Sequence, residues 1–456
     1  MTEDGPASPT AHAAKEWGLS IVDLPNILYL HTHDTGRMVS PYGHAVPTPR
    51  LQAFAEEGVV FRAAFSAAPT CSPSRAALLT GQAPHSAGML GLAHRGFGLK
   101  DYSQHLVHTL ERHGYTTAMV GVQHVAAGPD EGSVIGYAEQ LEASGTRAEA
   151  IVPAAAEYLR RDHERPFFLS VGFMETHTMP GEGSTFGYPP EDSRYLAPPP
   201  TLPDNATTRG DMADFAASAR VMDAGMGEIL DVLAERGLAD DTLVIITTDH
   251  GVALPGMKGT LSDLGTGVML MMRGPGGFSG GKVCDALVSQ IDLFPTVCEV
   301  IGADVPPWVQ GTSLLPVLDG QSEVNEVVFS EVTFHAAYEP KRAVRGRRWK
   351  YVRRFADRDR PVLPNVDDSP SKEFWVRSGW QDEHVDTEEL YDLVFDPGEG
   401  RNLAGSPHHA DVLDDLRRRL DEWMRSTGDP LLGGPVDPPV GHPHVDPGAV
   451  STASSR

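Results

Sequence analysis

Short apolar runs of strand length recur along the chain, and each ends in a cluster of polar residues. The first, Asn26-Ile27-Leu28-Tyr29-Leu30, is followed by His31-Thr32-His33-Asp34-Thr35-Gly36-Arg37. Val59-Val60-Phe61, Tyr115 to Val120, Pro166 to Phe173, Thr242 to Thr247 and Val268 to Met272 repeat the pattern. Consecutive apolar positions, rather than alternating ones, predict strands buried on both faces, as in a parallel sheet. Helices are predicted between them. Thr48 reads as an N-cap with Pro49 at the first helical position and a stop near Gly58. Residues 106–113 read as a short amphipathic helix. Within 211–236, Ala217, Val221, Gly225, Ile229 and Leu233 recur at helical spacing before Gly237 ends the run. Alternating strands and helices predict an α/β fold.

Past residue 322 the pattern changes. Val327 to Phe334, Arg342 to Arg345 and Trp349 to Val352 read as strands of an antiparallel sheet, and a helix is expected from His408 to about Arg425. The organisation this predicts is a disordered segment over 1–20, a catalytic domain over 21–322, a smaller subdomain over 323–427 and a flexible Pro-, Gly- and Ser-rich tail over 428–456. Residues 178–209, rich in Gly, Pro and acidic side chains, read as a long loop that could form a substrate-selecting rim.

Charge and cysteine usage then exclude several classes. Sixty-two acidic residues against 37 basic ones give a net charge of −25, which argues against nucleic-acid binding through a general basic surface. The first 25 residues carry Glu3, Asp4 and Glu16 and no unbroken apolar run, so neither a secretory signal nor a membrane span is expected. A cytoplasmic protein is the reading. Three cysteines, Cys71, Cys284 and Cys298, make no disulfide framework and leave Cys71 free for other chemistry.

Cys71-Ser72-Pro73-Ser74-Arg75, running into Leu79-Thr80-Gly81, is a string that core packing rarely produces. It resembles the modification motif of type I sulfatases, members of the alkaline-phosphatase-like superfamily. Glu389-Leu390-Tyr391-Asp392-Leu393 with Asn402-Leu403-Ala404 is similar to that family's closing motif, and the likeness runs from about Pro25 to Arg425. Within the family it looks closest to heparan N-sulfatase (sulfamidase)-like members. The resemblance implies an α/β/α sandwich around a large, mostly parallel sheet, with a C-terminal antiparallel sheet and helix. It also implies that a formylglycine-generating enzyme converts Cys71 to formylglycine, whose hydrated aldehyde is the nucleophile.

Other roles follow from the same likeness. One divalent cation, Ca, Mn or Zn, would be held by Asp34, Asp249, His250, the modified Cys71 and His33, which stands where the family has a second Asp. That imidazole tilts the expected preference toward Mn²⁺ or Zn²⁺. Arg75 would hold the nucleophile, Lys258 would neutralise the sulfuryl group, His177 would protonate the leaving atom and His124 would assist release of sulfate. Val122 stands where sulfatases commonly carry a Lys. His335 and Arg342 are candidate substrate-binding residues; the bland alternative for the Arg342 stretch is a solvated basic strand. The implied substrate is a sulfate ester or sulfamate of a small molecule or saccharide. A phosphonate monoester or phosphodiester hydrolase and a non-catalytic binding protein of the same fold stay as alternatives, and a homo-oligomer is left open.

Overall fold

The computed structural model describes residues 24–179, 184–442 and 444–452. The expected disordered segment over 1–20 lies outside the described residues. The strands, in chain order, are β1 (Asn26–Thr32), β2 (Val59–Phe61), β3 (Ala64–Phe65), β4 (Thr116–Gly121), β5 (Glu139–Gln140), β6 (Phe167–Gly172), β7 (Thr242–Thr248), β8 (Leu270–Arg273), β9 (Lys282–Cys284), β10 (Val288–Ser289), β11 (Val328–Phe334), β12 (Tyr338–Arg345), β13 (Trp349–Arg354) and β14 (Glu388–Asp392). The main sheet has the order β5-β4-β6-β1-β7-β8-β2-β9. β8 runs antiparallel to both of its neighbours, and the other pairings are parallel. A short parallel pair, β3 with β10, sits beside it.

Alternate residues of each central strand enter opposite cores. Ile27, Tyr29, Met119, Leu243 and Ile245 pack with Leu78, Leu79, Leu110 and Phe294, from the helices Cys71–Thr80, Leu106–Arg112 and Leu293–Val300. Leu28, Leu30, Val120, Val171 and Ile246 pack with Phe54, Ile151, Ile229 and Leu233, from the helices Pro49–Glu57, Ala148–Arg160 and Ala206–Glu235. Apolar runs on consecutive positions therefore reflect a sheet covered on both faces, the α/β/α sandwich expected from the sequence.

β11 to β14 form a second, antiparallel sheet in chain order. The helix Ala410–Thr427 covers one face through Leu413, Leu416, Leu420 and Met424 against Val344, Tyr351 and Leu390. On the other face Val332, Ala343 and Val352 meet Leu261 of the main domain.

One expectation needs correction here. The stretch around Arg342 is neither a solvated basic strand nor part of a cleft. Arg342 is fully buried, donates to both oxygens of Asp429 at 2.6 and 3.0 Å and to the Val332 carbonyl at 2.8 Å, and lies 3.2 Å from Glu331. A guanidinium is buried at that depth because two carboxylates and backbone acceptors replace its water. Among the described residues after Thr427, several make contacts with the rest of the chain. Asp429 supplies that ion pair, Leu431 joins the second core, and the Val445 N–H donates to the Ala336 carbonyl at 3.0 Å. No helix among the described residues is long and apolar enough to cross a membrane.

Candidate functional site

Four adjacent parallel strands, β4-β6-β1-β7, end level with one another: His31 is in register with Gly172 and Thr247, and Gly172 with Gly121. Residues just beyond those ends converge on one point, where open α/β sheets place their ligands. Gly121 and Gly172 let β4 and β6 close up there. A Cβ on Gly172 would lie 1.9 Å from the Val122 carbonyl oxygen, and one on Gly121, at φ +81°, 2.1 Å from the Gly172 carbonyl oxygen. Asp34 and His124, at φ 58° and 59°, are left-handed non-glycine residues, both at this point. Such backbone costs on the order of 1–3 kcal/mol and persists where the surroundings demand it.

Cys71 is the first residue of its helix and is buried. Its sulfur faces the site 3.5 Å from His250 Nε2, at the end of the helix where the backbone dipole is positive. Ser74, one turn on, donates to the Asp249 carbonyl at 2.6 Å and ties the helix to the end of β7. Burial pushes the Cys71 thiol well above its usual range despite the opposing charges of Lys258 and Arg75.

Around the sulfur the predicted charged residues come together. His33 Nδ1 lies 2.9 Å from Asp34 Oδ1 and 3.3 Å from Asp249 Oδ2; His250 Nε2 lies 3.3 Å from Asp34 Oδ1 and 3.7 Å from Asp249 Oδ2. One donor atom each from His33, Asp34, Cys71 and Asp249 falls within 4.8 Å of the others. Burial alone would raise both carboxyls; Lys258 with His33 at Asp34, and His250 with Arg75 at Asp249, hold them well below the usual range. At His33 burial prevails and lowers the imidazole to about 4, against the raising pull of Asp249 and Asp34.

This donor set fits a divalent cation. His250 Nδ1 is 3.0 Å from the Gly251 carbonyl oxygen, which only accepts, so in the neutral ring Nε2 carries a lone pair aimed at two carboxylate oxygens. In that tautomer no hydrogen lies between Nε2 and those two oxygens, and acceptors that converge in this way are what a metal satisfies.

Arg75 is one step removed from the position expected of it. Its guanidinium donates to Asp249 Oδ2 at 3.0 Å and to the Thr32 carbonyl at 2.8 Å, and contacts His31 Nδ1. None of its hydrogen bonds among the described residues goes to Cys71, so it orients the carboxylate. Lys258 is almost sealed from solvent between Asp34 Oδ2 at 2.7 Å and Asp367 Oδ2 at 2.6 Å. Burial would lower its ammonium, but those carboxylates raise it well above the usual lysine value.

The mouth is lined by histidines. The His177 ring meets that of His33 edge-on at 4.5 Å, and His177 Nε2 is 3.9 Å from Asp34 Oδ2. His124 stacks on His94 with ring centres 5.4 Å apart, and His124 Nε2 is 3.2 Å from His94 Nδ1. His335 is buried with Nδ1 3.1 Å from the Asn365 carbonyl oxygen, and its neighbours include Lys258 and Asp367. Arg342 alone among the predicted site residues is elsewhere.

Sequence reasoning passed over Asp367, His94 and His31. Asp367 belongs to an acidic loop with no periodicity, and His94 to a one-turn element. His31 was visible at the end of β1, but only the fold shows Arg75 beside it.

Residues 25–303 match the family model described as Sulfatase, and residues 260–375 the one described as N-sulphoglucosamine sulphohydrolase, C-terminal. The N-sulphoglucosamine sulphohydrolase of Homo sapiens is 30% identical over 477 residues, covering 90% of this chain and 92% of that protein. Among solved structures, a 2-O GAG sulfatase superposes with a TM-score of 0.73 at 22% identity, covering 94% of this chain and 99% of that one. Another, in complex with its substrate D-glucosamine-2-N,6-O-disulfate, superposes with a TM-score of 0.69 at 19% identity, covering 90% and 99%. At these identities the two structures speak for the fold.

Proposed function

The chain belongs to the sulfatase family and is a sulfuric ester or sulfamate hydrolase, and on that premise we propose that it removes a sulfo group from a saccharide through a formylglycine made from Cys71. The observation that carries the reading is the Cys71 sulfur at a helix N-terminus, 3.5 Å from His250 Nε2 and facing the Asp34–Asp249 carboxylates.

Asp34, Asp249, His250 and His33 would hold one divalent cation, which when bound supplies positive charge that lowers the pKa of an attacking hydroxyl and offsets that of the sulfo group. Formylglycine, once formed by a generating enzyme, supplies a hydroxyl at position 71 in place of the thiol. Arg75 fixes the Asp249 carboxylate from behind. Lys258 directs its ammonium at the sulfuryl oxygens. His177, less buried than the residues beneath it, stands where a proton reaches the departing nitrogen or oxygen, and His124 takes up the proton whose removal lets sulfate go. Val122 leaves this wall without a lysine, so positive charge toward substrate rests on Lys258. A sulfamate is favoured over a sulfate ester by the C-terminal match to the N-sulphoglucosamine sulphohydrolase model. We place the reaction in the cytoplasm; Cys284 and Cys298 are unpaired, which suits a reducing compartment.

Mass spectrometry of the peptide containing Cys71, with turnover of glucosamine N-sulfate and of matched aryl sulfate and aryl phosphonate esters, tests this. Formylglycine at 71 with sulfamate turnover is expected. An unmodified thiol in fully active protein would overturn the nucleophile, and faster phosphonate cleavage the substrate.

A further inference from the structure

Lys258 is bracketed by two carboxylates that differ in depth. The side chain of Asp34 is 0% exposed, that of Lys258 1% and that of Asp367 23%. Going inward from solvent the order is therefore carboxylate, ammonium, carboxylate. A ring nitrogen of His177 lies with carboxylate oxygens of Asp34 and Asp367 in a group whose members are all within 4.8 Å. Anything that presents a sulfuryl group to Lys258 and a leaving atom to His177 passes Asp367 on the way.

The loop that carries Asp367 is held on both sides. Before it, Asn365 accepts the Ala337 N–H at 2.7 Å and donates to Glu339 at 3.0 Å. After it, Ser369 caps the helix Pro370–Arg377 by accepting the Lys372 N–H at 3.1 Å. The Lys372 ammonium reaches back to the Val366 carbonyl and to Asp368, both at 2.7 Å. A carboxylate fixed this firmly at the outer side of Lys258 puts a negative charge at the entrance that the ammonium, shared with Asp34, does not fully neutralise. The repulsion is felt by whatever flanks the sulfo group, since the sulfo group itself meets the ammonium.

We propose that Asp367 is a specificity-determining residue: its carboxylate accepts a hydrogen bond from an N–H or O–H on the atom next to the one bearing the sulfo group, and rejects substrates with a second anion there. This rests on the hydrolase reading above and narrows it. The substrate class is a monosulfated leaving group with a neighbouring hydrogen-bond donor, rather than one sulfated at adjacent positions. A carboxylate gains a charge-assisted hydrogen bond from such a donor and faces an uncompensated like charge from a second sulfo group.

The test uses three aryl sulfates that differ at the ortho position: 2-hydroxyphenyl, 2-methoxyphenyl and 2-carboxyphenyl sulfate. Comparing each variant with the unaltered enzyme cancels their intrinsic reactivities. The hydroxy to carboxy ratio of kcat/KM is expected to fall at least about tenfold in Asp367→Asn, and similarly in Asp367→Ser should the amide perturb the loop. A ratio within twofold of the unaltered enzyme in both variants overturns the proposal. Calorimetric affinities for the same esters, measured on Cys71→Ala with and without Asp367→Asn, separate this from the hydrolase reading. A shift in binding preference with no turnover of these esters or of glucosamine N-sulfate by the unaltered enzyme leaves Asp367 as the selector and removes the hydrolase reading. Turnover with no shift in either ratio or affinity removes Asp367 alone, and failure of every ester to bind overturns both.

Discussion

Arg75 and Asp249 form an ion pair 3.0 Å long whose side chains are 2% and 0% exposed. One guanidinium also holds the Thr32 carbonyl at 2.8 Å and contacts His31, so the ends of β1 and β7 are joined through it. Arg75→Ala removes the ion-pair partner of a buried carboxylate, leaving it the Asp34 and His250 N–H donors at 2.9 Å, and is expected to cost about 3–5 kcal/mol, read by urea unfolding. Arg75→Lys keeps the charge but not the planar fork. Its stability loss should be smaller, while kcat falls about 10²-fold because the Asp249 carboxylate is no longer aimed. Equal losses of stability in the two variants would contradict an orienting role.

The same carboxylates lead to a metal-removal prediction. Asp34 and Asp249 face His250 Nε2 at 3.3 and 3.7 Å, and two buried carboxylates so close repel each other once no cation lies between them. Exhaustive chelation should abolish turnover and lower the melting temperature, with both recovering on adding a divalent ion. A free concentration about 100 times its Kd would restore on the order of 2.7 kcal/mol. Because His33 adds an imidazole to the set, Mn²⁺ or Zn²⁺ should restore more than Ca²⁺. Stoichiometric Ca²⁺ in active protein would refute that order.

Arg342 yields a prediction of the opposite kind. It sits between Glu331 and Asp429 in the second sheet, so Asp429→Ala should cost about 3–5 kcal/mol. At a temperature where the variant stays folded, kcat/KM should lie within about threefold of the unaltered value. A large KM effect without loss of stability would restore Arg342 to the substrate site.

The fate of Arg342 marks how far the sequence could be read. Strand ends carrying His33-Asp34, His124, His177 and Asp249-His250 were legible because a parallel sheet covered on both faces writes itself as continuous apolar runs, and its ligands follow at the C-terminal ends. The Cys71 string was legible because its residues are contiguous. The partners of the two cations were not, since nothing near Lys258 or Arg342 in the sequence marks the carboxylates that hold them. One is surrounded by Asp34 and Asp367, the other by Glu331 and Asp429. The pairings with Asp34, Asp367 and Asp429 span 224, 109 and 87 residues of chain, and only the fold brings them together, whereas Glu331 faces Arg342 directly across the β11–β12 pair. Asp367 was missed for the same reason.

His105 gives a pH prediction remote from the site. It caps the helix Leu106–Arg112 by accepting the Val107 N–H at 3.2 Å on Nδ1, and its ring meets that of Tyr137 at 5.9 Å. Nε2 is buried with no partner among the described residues. Burial, with His108 adding, lowers its pKa to about 3, against roughly 6.5 in the unfolded chain. The unfolded chain therefore takes up the proton first as pH falls. The stability that depends on neutral His105 is present above about pH 6.5 and lost progressively toward pH 3, at about 1.4 kcal/mol per unit. Protonation would also remove the capping lone pair. His105→Asn keeps an acceptor at the cap without titrating. Between pH 7 and 5 the unaltered protein should lose about 2 kcal/mol more than the variant in urea unfolding. Subtracting the two curves removes other buried groups, such as His335, lowered to about 3. A difference that stays constant over this range would mean that His105 is protonated in the fold, and would require a partner for Nε2.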